Sequence, residues 1–137
     1  MLRKFLFFFI SCSLSVSLYA QTDDNRTVTT KIADLLAKMP AEEAKQLLTN
    51  AEAVANLGEN GIAELVAGLN AGGDDTRLHY AINGFSYYAT QKENESWRAL
   101  AVKAYSQALS KLTNKEAQLF IITQLEHVGK DDAVASL

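Results

Sequence analysis

The side chains able to do metal or acid–base chemistry are few and widely separated. His79 and His127 fall in different segments and Cys12 is the single cysteine, so no set with zinc-ligand spacing can be assembled. Histidines so placed are expected as surface or capping groups. Neither has a glutamate three positions earlier, which removes the Glu-x-x-His pattern of di-iron bundles. The acidic pairs Asp23-Asp24, Asp74-Asp75 and Asp131-Asp132 each precede a helical pattern, where capping wants them. Adjacent carboxylates in one loop are poorly placed to face each other across a sugar, as a glycosidase pair must. Ser86 and Ser106 lack a G-x-S-x-G elbow, and the glycines from Gly58 to Gly73 are not followed by Gly-Lys-Ser/Thr. Asn25-Arg26-Thr27 and Asn94-Glu95-Ser96 fit the glycosylation triplet, a common chance match. The expectation is a chain without catalytic, cofactor-binding or metal-ligating residues.

The elements around these residues are helices with one apolar stripe each. Val28, Ile32, Leu35, Leu36 and Met39 recur at helical spacing until Pro40 stops the run. A second helix is expected from Ala41, with Glu42 and Glu43 in its first turn and Ala44, Leu47, Leu48, Ala51, Val54 and Ala55 buried. Gly58 is expected to cap its end and Gly61 to permit a tight turn. Ile62, Leu65, Val66 and Leu69 then mark a third helix. Leu78, Ala81, Ile82 and Phe85 mark a fourth, capped by Asp75 or Thr76. Trp97, Ala101, Ala104, Tyr105, Ala108 and Leu112 form a fifth stripe, with Trp97 expected in the core or as a lid. Asn114 caps a sixth helix, whose core face is Ala117, Phe120, Ile121 and Leu125. No stretch of useful length alternates with a period of two, so the fold class is all-α.

Residues 1–20 read as a secretory signal peptide. Arg3 and Lys4 precede the apolar run Phe5 to Ile10, which continues weakly to Leu18 before Tyr19-Ala20, and serines at 11, 13, 15 and 17 break it up too much for a membrane span of about 20 residues. Phe9-Ile10-Ser11 resembles a lipobox poorly, which argues against a lipid anchor at Cys12. Cleavage after Ala20 leaves 117 of the 137 residues, no cysteine, and a formal charge of −5 instead of −3. No basic stripe remains for nucleic acid. The expected location is periplasmic or extracellular, with no membrane contact after leader removal. Residues 21–27 are a polar lead-in, and residues 28–137 make up the helical domain.

Paired in order, the helices give hairpins 28–39 with 41–56, 61–70 with 76–91, and 95–112 with 114–128, none able to bury its own stripe. Leu57-Gly58, Ile62, Leu65 and Leu69, then Asp75, Arg77, Ala81 and Phe85, resemble a HEAT repeat, and Val128-Gly129-Lys130-Asp131-Asp132 is similar to a second opening. The two openings are closer than two units of the usual ~40–47 residues. Ala104-Tyr105-Ser106-Gln107-Ala108-Leu109 looks more like a tetratricopeptide helix, which makes that family the alternative. The resemblance implies a right-handed α-solenoid of about three antiparallel hairpins. It also implies a scaffold role, binding a protein partner or a following domain of the same polypeptide. As an alternative, the combination resembles the helical N-terminal part of larger exported bacterial proteins, in some of which a concanavalin-like sugar-acting domain follows. The chain breaks off at a repeat opening, so the last stripe lacks a polar cap and the fragment is expected to be marginal or self-associating. Arg77, Tyr80, Asn83 and Tyr87, with Gly84, form a second stripe on the fourth helix, the candidate interaction face. Its simpler reading is packing against the neighbouring hairpin, which the interior position of that helix favours.

Overall fold

A computed structural model describes residues 26–72 and 75–129, which hold six α-helices and two short 3₁₀ turns and no strand. The expected leader with Cys12, the Asp23-Asp24 segment and the helix opening at 131–137 lie outside the described residues. Helix α1 (Val28–Leu36) starts at Thr27, whose hydroxyl accepts the Thr30 N–H at 3.2 Å. It unwinds through Ala37, Lys38 and Met39 and stops at Pro40, which has no N–H to continue the ladder.

Helix α2 (Ala44–Ala55) begins later than the sequence suggests. The Glu42 N–H is taken by the Gln46 side chain at 3.0 Å and Glu43 is extended, so both acids precede the first turn instead of lying in it. The expected stripe is also only half buried. Asn50, Ala51 and Val54 are inside, while Leu47 and Leu48 are 40% and 39% exposed, because among the described residues no helix covers that side.

The chain reverses at Gly58, with φ +70°, a conformation that costs any residue with a Cβ about 1–2 kcal/mol. Gly61 is not the expected turn residue. It lies within α3 (Gly58–Ala67), where a Cβ would come 2.7 Å from the Leu57 Cβ. A 3₁₀ turn at Gly68–Ala71 extends α3 and carries Leu69 into the core. Helix α4 (Thr76–Ala89) has Asp75 at its N-cap position, yet the Asp75 side chain makes no capping bond. Its backbone, at φ −84° and ψ 11°, departs from the extended conformation that points a side chain at the first amides.

A 3₁₀ turn at Lys92–Asn94 leads into α5 (Glu95–Leu109). Asn114 then caps α6 (Lys115–Val128) as expected, accepting the Glu116 and Ala117 N–H groups at 2.9 and 3.3 Å. Asn70 ties this junction to the end of α3: its Oδ1 accepts the Thr113 N–H at 2.8 Å and its amide donates to the Lys111 carbonyl.

The helices choose partners differently from the expected hairpins. Only α5 and α6 make an extensive sequential pair. The widest contacts join α3 to α5 and α2 to α4, while α1 with α2 and α3 with α4 touch slightly. Contacts between alternate helices thus lead in two cases, while α5 also packs on both of its sequence neighbours, α4 and α6. On α5, Ala101, Ala104 and Ala108 are buried and small, and the facing stripe of α3 supplies Ile62, Leu65 and Val66. Each such large side chain contributes about 1.5–3 kcal/mol by leaving water.

One polar group sits at the centre. The fully buried Tyr105 hydroxyl lies 2.9 Å from the Ser86 hydroxyl and donates to the Ile82 carbonyl at 3.4 Å, joining α5 to one turn of α4. Burial pushes the phenol well above its ordinary range, an effect partly offset by the Ser86 hydrogen bond. A folded-state pKa above the unfolded value of about 10 gives stability that is complete below pH 10 and is lost as pH rises beyond it. The urea midpoint is expected to fall between about pH 9 and about pH 11, with a smaller fall in Tyr105→Phe. Equal falls in the two proteins would count against this origin.

Candidate functional site

Among the described residues with recognisable chemistry, His79 and Ser86 are taken up by the packing. The His79 ring packs on Phe120 with centroids 4.3 Å apart, and His127 is exposed in the last turn of α6, where a cation complements the helix dipole. Ser86 is spent on Tyr105. Among the described residues no three His, Cys, Asp or Glu side chains gather as a metal site would require.

The arrangement with a surface to offer lies along α2 and α4. Of the second stripe on α4, Arg77 is exposed, and Tyr80 and Tyr87 are 48% and 58% exposed, so packing against a neighbouring hairpin is not what the tyrosines do. Asn83 behaves otherwise: its side-chain oxygen accepts from the Gln124 amide at 2.8 Å and tethers α4 to α6. The stripe thus divides into an aromatic part open to solvent and an amide, Asn83, that holds α6.

Leu47 and Leu48 of α2 complete the open part, and two depressions flank it. One, of about 250 Å³, is lined by Met39, Pro40, Leu47 and Tyr80, with Asn50 and Gly84 beneath. The other, of about 420 Å³, is lined by Leu48, Tyr87, Tyr88 and Trp97, with Glu52 and Glu93 among its remaining walls. Trp97 is half-buried and stands 6.0 Å from Phe85, so it is anchored to the core while one part reaches the depression.

Local hydrogen bonds fix this end of α4. The Tyr87 carbonyl accepts from the Thr90 hydroxyl at 2.7 Å and the Gln91 amide at 3.2 Å, and the Tyr88 carbonyl accepts from the Asn94 amide at 2.9 Å. Arg98 works from behind. Its guanidinium donates to the Thr90 carbonyl at 2.9 Å and the Val128 carbonyl at 3.3 Å, holding the C-terminal ends of α4 and α6 with a positive charge.

Sequence reasoning found Tyr80 and Tyr87 but not Leu47, Leu48, Tyr88, Glu52 or Glu93. The leucines carry a core signature, and they are surface because no helix among the described residues lies over them. No family model, curated protein or solved structure matches the chain.

Replacing Arg98 by Met keeps the stem and removes two charge-assisted bonds, so a loss of about 2 kcal/mol in urea unfolding is expected. A loss below about 0.5 kcal/mol would show that the two carbonyls are satisfied without it.

Proposed function

We propose that this chain is a non-catalytic, exported helical-repeat module, a short right-handed α-solenoid of HEAT-like hairpins that binds a protein partner on its α2–α4 face. The wide α3–α5 and α2–α4 contacts support the solenoid part of the reading, because stacked hairpins bring their first helices together in one layer and their second helices in another. The signal-like residues 1–20 support export. No helix among the described residues is long and apolar enough to cross a membrane.

The observation that carries the binding role is the exposure of Leu47, Leu48, Tyr80 and Tyr87, with Leu47 beside Tyr80 at one depression and Leu48 beside Tyr87 at the other. Large side chains left in water at adjacent positions of two helices are the usual make-up of an interface core, and tyrosine supplies much contact area for little lost rotamer freedom. In a stack of hairpins, second helices such as α2 and α4 line the surface used for partners.

The test is capture from the exported fraction of the host by the immobilised chain and by a Tyr80→Ser/Tyr87→Ser variant. Both side chains are largely solvated, so the variant should keep its helical circular dichroism and its melting temperature. Capture is expected to drop at least about tenfold, the loss of two aromatic anchors. Equal capture by the two proteins would remove this face as the binding surface.

A further inference from the structure

The depression between Leu48 and Trp97 has a chemistry of its own. The Tyr87 and Tyr88 rings stand 5.2 Å apart at 82°, forming two walls nearly at right angles, and Trp97 supplies a third aromatic surface. The negative face of each ring attracts a cation brought over it. Glu52 and Glu93 add two carboxylates, and no lysine or arginine is among the lining residues. Neither glutamate has an ion-pair partner among the described residues. An anionic guest would be repelled by these two solvent-exposed carboxylates. A cation answers both the rings and the acids.

The amides nearby do not compete for this role. Gln91 and Asn94 are turned to the Tyr87 and Tyr88 carbonyls and so hold the backbone that carries these rings. The neighbouring depression is of the opposite character. Met39, Leu47 and Tyr80 surround it, and its polar side chain, Asn50, is already donating to the Met39 sulfur at 3.7 Å. Tyr80 and Tyr87 mark the two depressions and are two turns apart on α4, a distance of about 10 Å, which a segment in the extended polyproline II conformation covers in about three residues, with side chains three apart on the same side.

From this geometry we infer that the α2–α4 face takes an extended peptide segment carrying a basic side chain, arginine before lysine, in the Tyr87-Tyr88-Trp97 depression and a large apolar side chain about three residues away in the Met39-Leu47-Tyr80 depression. Arginine is preferred because a planar guanidinium stacks on a ring while its edge reaches carboxylates. This rests on the protein-binding reading above and names the chemistry of the partner.

Trp97 is the single tryptophan of the chain, so its emission reports on the depression directly. The protein as it accumulates from the full 137-residue sequence is titrated with a Gly/Ser peptide bearing Arg and Leu three positions apart, followed by emission and by calorimetry. Saturable binding is expected, about tenfold weaker when citrulline replaces the arginine. A similar loss is expected in Tyr87→Ser and in Glu52→Gln/Glu93→Gln, with helical circular dichroism unchanged in both. Absence of saturable binding, or equal binding of the citrulline peptide, overturns the inference. Equal affinity for tetramethylammonium alone overturns it too, since a free organic cation would then be the ligand. The capture experiment with Tyr80→Ser/Tyr87→Ser stands apart: if it still loses partner while the peptides fail, protein binding survives and the basic segment does not.

Discussion

The rest of the structure depends on a hydroxyl pair in its middle. Tyr105 brings a large ring and one polar atom into a region from which water is excluded, and an unpaired hydroxyl there would cost about 1–3 kcal/mol. Ser86 and the Ile82 carbonyl satisfy it, and in doing so they set the register of α5 on α4. Helix α5 is also the element that touches α3 and α6 most widely, so the position of Tyr105 propagates to most of the bundle. At the start of the same helix Arg98 holds the ends of α4 and α6, and beyond its end Asn70 fastens the turn into α6.

Helix periodicity was legible because it is local. A 3.6-residue repeat of apolar side chains placed α3, α4, α5 and α6 within a few residues of their observed bounds, and Asn114 announced its cap by residue type alone. What failed required knowing what lies opposite. The late start of α2 follows from the competition of the Gln46 side chain for the Glu42 amide, and the idle Asp75 side chain from a backbone angle, neither visible in a residue pattern. The preference of α3 for α5 over α4 is tertiary: the alanines of α5 allow a close approach that sequence order does not announce.

The same limit governed the α2–α4 face. Tyr80 and Tyr87 stood out as a second stripe on an amphipathic helix, but whether a stripe is covered is decided by the number of neighbours and not by its composition. Leu47 and Leu48 read as core for the same reason and are surface. The perpendicular tyrosine pair was hidden in adjacent residues, Tyr87 and Tyr88, which point apart on an ideal helical wheel, so a residue pattern gives no sign of their ring contact. A rigid end to α4 and an open flank on α2 are thus two products of one packing arrangement.

A double-mutant cycle between Ser86→Ala and Tyr105→Phe, read by urea unfolding at neutral pH, probes the hydroxyl pair most directly. If it holds α4 and α5 together, the two losses couple by about 1 kcal/mol or more, since each substitution removes the same hydroxyl–hydroxyl bond. Strictly additive losses would mean that apolar packing alone sets the register of these helices, and the pair would lose its place at the centre of the fold.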